Sequence, residues 1–234
     1  MLVLGAYRPW PEQSVEDSLV TRGSVQPMGP TESALILVPE DGGPAHEAFG
    51  IDPEGVLMLQ APTGRYVSSL ELWDERGRRA WRARQGIRQV PLTPGLVGVS
   101  DLMILDRDAP YPTNLDEAIP HLRPGIRVQA DERFLVIWEV YGLQVAEPVQ
   151  VTVGFTQGRP GFLERVGEFL GVLEPDRPVE VTFEDTGPDQ LQTAFRAVAL
   201  EVPDVEPGEY TLHLRLQLRG REPLITSRPI VIGE

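Results

Sequence analysis

The chain contains no cysteine, no lysine and a single asparagine, Asn114, among its 234 residues. Without cysteine it has no disulfide, no thiolate ligand for zinc and no cysteine nucleophile. Without lysine, phosphate-cradling loops of the Gly-x-x-x-x-Gly-Lys type are excluded. Because the codons for lysine and asparagine are AT-rich, we interpret both shortages as the mark of a GC-rich genome, a property of the organism and not of a site.

Long apolar runs are also missing, since none approaches the ~20 residues that a membrane-spanning helix needs. The mean hydropathy is −0.16 and the apolar fraction is 41%, which is ordinary for a chain with a packed core. A net charge of −14 repels nucleic acid and anionic membranes. We therefore expect no nucleic-acid partner, no membrane span and no cofactor.

Glycine and proline are abundant, with 23 residues of each spread along the chain, and they indicate many short strands joined by turns. In the first half, strands are predicted over residues 2–7, 34–38, 56–60, 65–73, 79–84 and 97–105. Two long turn-rich segments, residues 9–31 and 39–55, are predicted as loops and are places where a binding function could lie. The fold class is therefore all-β.

The second half predicts seven strands, over residues 126–130, 133–141, 149–155, 179–184, 193–202, 209–218 and 224–232. Seven short strands in about 110 residues are typical of an immunoglobulin-like sandwich. One segment, residues 160–171, has apolar residues at helical spacing between a proline and a glycine, and it predicts one short helix in this domain.

These patterns predict two tandem immunoglobulin-like antiparallel sandwiches. The first spans residues 1–108 with long loops, residues 109–118 form a proline-containing linker, and the second spans residues 119–234. A short internal sequence repeat supports the prediction of two similar domains, because Tyr66 and Tyr210 each follow a Pro/Gly turn and begin an alternating strand. A tyrosine there can bury its ring and hydrogen-bond its hydroxyl to nearby backbone.

Signals for catalysis are weak. Gly98-Val-Ser100 lacks the second glycine of a nucleophile elbow, and His46, His121 and His213 lie in unrelated contexts, in a loop, near the linker and in a strand. A triad can still assemble in space, so a histidine within hydrogen-bond reach of a serine or carboxylate in a cleft would favour an enzyme. The sequence otherwise predicts that the protein is not an enzyme.

A stretch rich in arginine and tryptophan is the only strongly basic patch, and it carries the candidate ligand-binding residues Trp73, Arg78, Trp81, Arg82 and Arg84. Guanidinium forks and indole faces suit phosphate, an acidic glycan or an acidic partner. The alternative is a charged strand whose arginines discourage edge pairing and meet acids on the neighbouring strand. If sugar stacking is the function, both tryptophans must be exposed on one face.

Asp106 and Asp108 are candidate ligands for Ca²⁺, because they follow a predicted strand at the predicted domain boundary and calcium takes several oxygen ligands. The segment lacks the glycine and the terminal glutamate of an EF-hand loop. Solvated turn residues are the alternative interpretation of both aspartates.

Several short motifs resemble the β-rich regions of the bacterial GWxTD-domain proteins and related uncharacterised proteins. They are a Ser-Asp-Leu strand at residues 100–102, Pro124-Gly125, Trp138-Glu-Val-Tyr141 and the Pro-Gly-x-Tyr strand at residues 207–210. The resemblance implies an exported, envelope-associated protein without a defined biochemical role, and it supplies no catalytic residues.

The sequence thus favours a non-enzymatic binding or structural module of a bacterial envelope or secreted protein, with a protein or glycan partner. The alternative is a carbohydrate-binding or accessory module of a larger enzyme. We expect a periplasmic or extracellular location as part of a longer exported parent, with a cytoplasmic location as the alternative.

Overall fold

The computed structural model describes residues 1–8, 32–52, 55–75, 78–89, 91–93, 95–158, 179–190, 193–202 and 205–233. The chain divides into two compact units, Met1–Pro91 and Leu92–Glu234. Its described part consists of β-sheets, antiparallel except for one parallel strand pair at an edge, and one short helix, so the all-β prediction is confirmed. The predicted helix at residues 160–171 lies outside the described residues.

The first unit contains six described strands. They are β1 (Leu2–Tyr7), β2 (Glu32–Pro39), β3 (His46–Gly50), β4 (Gly55–Gln60), β5 (Gly64–Asp74) and β6 (Arg79–Gln89). Strands β1 and β4 form sheet I, and sheet II has the order β3-β2-β5-β6. Alternate residues of both sheets, including Val3, Leu35, Leu37 and Leu57, form one buried cluster, as expected when the apolar faces of two sheets cover each other.

The second unit contains the remaining strands. They are β7 (Gly98–Val99), β8 (Met103–Ile104), β9 (Arg127–Gln129), β10 (Arg133–Tyr141), β11 (Pro148–Gln157), β12 (Val179–Thr186), β13 (Ala194–Glu201), β14 (Gly208–Leu218) and β15 (Leu224–Gly233). Sheet III has the order β13-β10-β7, with β8 also on β10, and sheet IV has the order β12-β11-β14-β15-β9. The core of the second unit contains residues of both sheets, such as Trp138 in β10, Val153 in β11 and Leu214 in β14.

Three predictions about segments need correction. Residues 97–105 do not close the first sandwich, because β7 and β8 both pair with β10 of the second unit. Residues 109–118 lie within the second unit and include the helix α1, Leu115–Ala118, which Asn114 caps. The predicted loop at residues 39–55 contains β3. That the two units are immunoglobulin-like stays a prediction.

The predicted burial and hydrogen bonding of the two repeated tyrosines are confirmed. Tyr66 and Tyr210 are both buried, and each hydroxyl donates a hydrogen bond to the carbonyl four residues earlier. Tyr66 Oη lies 3.1 Å from the oxygen of Pro62, and Tyr210 Oη lies 2.7 Å from that of Glu206. The two units therefore use the same device to fix the turn before a core strand.

Candidate functional site

The predicted ligand-binding residues lie around the hairpin of β5 and β6, but they do not form one surface. In this pairing Trp73 lies opposite Ala80 and Leu72 lies opposite Trp81. Residues directly opposite share a face and successive residues alternate, so Trp73 and Trp81 are directed to opposite faces of sheet II. Both are exposed, at 42% and 43%. The two-tryptophan face required by the carbohydrate alternative is therefore not formed.

The face of sheet II directed away from the core, here called the outer face, does bring together three of the predicted residues. Trp73 and Glu71 of β5 share it with Arg82 and Arg84 of β6. Arg78 lies in the turn between the strands, with a positive φ of 49°. The outer face thus combines one indole with two guanidinium groups.

Sequence reasoning missed the other aromatic residue of this face. Phe49 in β3 lies opposite Ala34 in β2, which lies opposite Glu71 in β5. Phe49 has 71% of its surface exposed, and its neighbour across the strand pair is the small Ala34 side chain. The only signal in the sequence is the alternation of His46-Glu-Ala-Phe-Gly50, which the preceding turn residues obscure.

A groove of about 580 Å³ crosses this part of the sheet. On the outer face it is lined by Glu32, Ala34, Phe49, Glu71, Trp73 and Arg82, and Trp81 also borders it. We call it the Phe49–Trp73 groove. A volume of this order suits a small ligand or an inserted side chain.

Charge on the outer face is partly neutralised within the hairpin. The Nε atom of Arg82 lies 2.8 Å from Glu71 Oε1, and Arg84 Nη2 lies 3.7 Å from the same oxygen. Hydrogen bonds from Arg82 and from Ser69 lower the pKa of Glu71 below its ordinary value. The alternative interpretation of the arginines, as partners of acids on the neighbouring strand, therefore accounts for these two contacts.

Farther along the same face, Arg88 lies directly opposite Arg65. Both side chains are exposed, and within the described residues neither forms an ion pair. Like charges directly opposite each other are destabilising. This end of the hairpin consequently presents uncompensated positive charge.

Asp106 and Asp108 are not gathered into a ligand cluster in the described part of the chain, where no group of three or more His, Asp or Glu side chains is placed to hold a metal. Asp106 instead lies 3.9 Å from Arg123 Nε, and Arg123 forms a buried ion pair with Glu132. Glu132 also accepts a hydrogen bond from the Gln129 amide. Calcium binding stays a prediction, beside a contact that gives Asp106 a structural role.

Ser100 does not present a free hydroxyl. Its Oγ donates to the Asp101 carbonyl at 2.9 Å and accepts from the Glu139 amide at 3.0 Å. The second of these contacts, together with the hydrogen bond from the Ser100 amide to the Glu139 carbonyl at 2.9 Å, ties the segment between β7 and β8 to β10. The apparent half of a hydrolase motif therefore serves the packing of sheet III.

One histidine does meet a carboxylate and a hydroxyl. His213 in β14 places Nε2 3.1 Å from Glu180 Oε1 and Nδ1 3.1 Å from Thr156 Oγ1. Glu180 and His213 are both opposite Gly154 of β11, whose missing side chain lets them meet. Because both ring nitrogens are engaged and the ring is buried, the cluster joins three strands and leaves no nitrogen available to a substrate.

The other two histidines are placed apart from it. His46 begins β3, so it is in a strand and not in a loop, and its ring meets that of Tyr66 edge-on at 5.9 Å. His121 ends a 3₁₀ turn, Ile119–His121. No helix among the described residues is both long and apolar enough to cross a bilayer.

No protein family and no curated protein matches the chain. Among solved structures, it is similar to a tetra-tandem repeat in the extending region of a large adhesion protein, at 13% identity and a TM-score of 0.26. The match covers 88% of this chain and 42% of that one, so the chain spans less than half of that structure. A TM-score this low does not establish a shared fold, and the resemblance to GWxTD-domain proteins is not supported.

Proposed function

We propose that this protein is a non-enzymatic binding module of an exported bacterial protein and that it holds a protein partner on the outer face of sheet II. The observation that carries the proposal is the exposure of apolar side chains on that face. Phe49, Val38 and Val67 are exposed at 71%, 46% and 41%, and they accompany the indole of Trp73.

Strand pairing places these side chains on one face of sheet II, in two groups with Ile36 between them. Val38 lies directly opposite Val67, and Phe49 lies directly opposite Ala34, which precedes the half-buried Ile36 on the same face of β2. Apolar residues scattered singly on a surface need no explanation, but a contiguous apolar patch with a polar rim is typical of a protein interaction site. Aromatic residues and arginine are also the types enriched where partners bind most strongly.

The arginines of β6 supply such a rim. Arg82 borders the groove, and Arg84 and Arg88 continue along the same face. Charges at a rim mainly direct the encounter and select partners of opposite charge. We therefore expect a partner that offers an apolar side chain to the Phe49–Trp73 groove and acidic groups beside it.

A photo-crosslinking amino acid at position 49 tests this proposal in the full chain. Incubated with the envelope and secreted fractions of the source organism, it is expected to yield a discrete protein adduct that excess unlabelled protein suppresses. The matched control is position 58, where Met58 of sheet I is similarly exposed at 53%. Equal adducts from both positions, or none from position 49, would refute the proposed face. Recovery of the protein from the cytoplasmic fraction alone would refute export.

A carbohydrate ligand is the second candidate, and the groove between Phe49 and Trp73 favours it, because aromatic walls beside Glu71 and Arg82 combine stacking with hydrogen bonding. Such a chain would serve as an accessory module of a larger enzyme. A glycan array tests it. Binding should be lost with Trp73→Ala, whose indole lines the groove, and retained with Met58→Ser on sheet I; equal loss in both variants would contradict this placement.

A further inference from the structure

Each sheet ends in edge strands in the part of the chain that the structure describes, and two of these edge strands carry several charges of one sign. Strand β6 pairs only with β5, and β12 pairs only with β11. They are long for edge strands, with 11 and 8 residues. An unpaired edge of this length is a template for another strand unless charge or shape prevents it.

The two edges carry opposite charges. Strand β6 contains four arginines and no acidic residue, and β12 contains three acidic residues and no basic one. On the faces directed away from the cores, Arg84 and Arg88 are four residues apart in β6, and Glu180 and Glu184 are four residues apart in β12. The spacing of the positive groups therefore equals that of the negative groups.

At both edges, the charged residues also direct their main-chain N–H and C=O groups away from their own sheet. In an antiparallel ladder a residue exchanges both of its hydrogen bonds with one neighbouring strand, and successive residues alternate. The Glu40 amide donates to the Arg65 carbonyl at 3.0 Å, so the main-chain groups of Arg65 are directed to β2. Those of Arg88, which lies opposite Arg65, are therefore directed to the free edge. Because successive residues alternate, the main-chain groups of Arg84 and Gly86 are directed to the free edge as well.

Strand β12 shows the same relation. The Gly187 amide donates to the Glu147 carbonyl at 2.7 Å, so odd-numbered residues of β12 face β11. Glu180, Thr182 and Glu184 consequently turn their main-chain groups to the free edge. In both strands, the residues that carry the outward charges are the ones whose main chain is available for pairing.

We propose that the β6 edge of one copy pairs antiparallel with the β12 edge of a second copy, with Arg84 opposite Glu184 and Arg88 opposite Glu180. Gly86 then lies opposite Thr182. Each of these three pairs can exchange two main-chain hydrogen bonds, and both ion pairs lie on one face. Because the interface joins two different edges, it is heterologous and builds open chains or rings of copies.

The competing arrangements satisfy fewer groups. Pairing β6 with β6 places the arginines of two copies on one face, where like charges repel. A parallel alignment brings an available residue opposite one that faces its own sheet, which puts the arginines and glutamates on different faces. Only the antiparallel register above pairs both arginines with both glutamates.

The attraction between the two edges is local. Residues 1–91 hold nine arginines and twelve acidic residues, and residues 92–234 hold twelve arginines and twenty-three acidic residues, so both units are negative. A strongly acidic chain resists random self-association, which limits self-association to the contact where the arginines of β6 meet the carboxylates of β12. The second copy also supplies carboxylates to Arg88, which faces Arg65 in its own sheet.

Sedimentation velocity over a concentration series of the full chain tests the proposal. The wild type is expected to associate reversibly, and less at 1 M salt, where the Debye length falls to about 3 Å. Arg84→Glu turns one attraction into a repulsion, which weakens association roughly 2- to 30-fold. Glu184→Arg has the same effect. A concentration-independent sedimentation coefficient for the wild type would overturn the proposal.

Combining two substitutions in one chain supplies the decisive control, because every contact between copies then contains both altered edges. In Arg84→Glu/Glu184→Arg the altered edges complement each other, and association should return. Arg84→Glu/Glu180→Arg should not associate, because position 84 then still lies opposite Glu184 and Arg88 lies opposite the new arginine. Association of the second double variant, or none of the first, contradicts the register. Circular dichroism confirms that each variant is folded.

This inference goes beyond the proposed binding face and can fail separately from it. Phe49→Ser removes the wall of the groove and leaves both edges intact, so that variant should still self-associate. The photo-crosslinked partner should in turn still bind Glu184→Arg, whose change lies in the second unit. Loss of self-association in Phe49→Ser would contradict the edge contact.

Discussion

Removing one tyrosine hydroxyl from each unit tests whether that hydroxyl stabilises its turn and whether the two units unfold separately. In Tyr66→Phe the Pro62 carbonyl loses its donor, and in Tyr210→Phe the Glu206 carbonyl does, while both rings stay in place. A neutral hydrogen bond contributes a net ~0.5–1.5 kcal/mol, and a partly buried acceptor left unpaired brings the loss to about 1 kcal/mol or slightly more. Each substitution therefore has a small, defined effect on a single unit.

Calorimetry separates the two effects. The units hold 91 and 143 residues, and a loss of 1 kcal/mol lowers the melting temperature by roughly 4–8 °C for a domain of 60–100 residues and by less for a larger one. Tyr66→Phe should therefore shift only the transition of the first unit, and Tyr210→Phe should shift that of the second by a smaller amount.

Tyr7→Phe is the matched control, because Tyr7 is equally buried and its hydroxyl has no hydrogen-bond partner within the described residues. It should leave both transitions in place to within about 1 °C. If Tyr66→Phe and Tyr210→Phe behave like this control, the two hydroxyls do not hold their turns. If either substitution shifts both transitions equally, the units do not unfold separately.

Two further predictions concern a buried ion pair and the groove. Glu132→Gln leaves the Arg123 guanidinium without its buried partner and should cost about 3 kcal/mol or more in urea unfolding at neutral pH. Burial raises the pKa of Glu132, but hydrogen bonds from Arg123 and the Gln129 amide bring it below its ordinary 4.5. The wild type should therefore lose this stability as the pH falls from about 4.5 through that lowered value; an equally steep loss in Glu132→Gln would contradict the reasoning. The dye 1-anilinonaphthalene-8-sulfonate should fluoresce on the native protein through its rings in the groove and its sulfonate at Arg82. Phe49→Ser should abolish the signal, and Ile225→Ser, at another exposed apolar position, should not; the reverse would refute the assignment.

The strands themselves were largely predictable, because their signal is local. Residues 133–141 are rich in β-branched and aromatic side chains, and the structure places β10 over the same residues. Tyr66 and Tyr210 were predictable for a similar reason, since a Pro/Gly turn fixes the position of the ring that follows. Strand β3 was missed, because five residues between turn-forming segments give too short an alternation to detect.

What the sequence could not supply is the partner of each strand. The segment that contains β7 and β8 reads as the end of the first sandwich, yet pairing with β10 assigns it to the second unit. The division of Trp73 and Trp81 between two faces likewise depends on the register of the hairpin. Four residues, 75–78, connect the strands, and one residue more or less would have placed both indoles on one face.

The two proposed surfaces use the same sheet in different ways. The outer face offers side chains, and its apolar residues and groove suit a partner that is laid across it. The β6 edge offers main-chain groups, and its arginines limit which strands can join it. Arginines on an edge strand protect against pairing with identical edges, and the same charges admit an acidic strand.

The most direct test of the central claim, that the outer face of sheet II holds the partner, is the affinity of the photo-crosslinked protein for purified variants. Titration calorimetry should show binding to the wild type, and at least roughly tenfold weaker binding to Phe49→Ser and Trp73→Ala, because buried aromatic residues dominate such interfaces. Met58→Ser, on sheet I, should bind as the wild type does. Unchanged affinity in both outer-face variants would contradict the account.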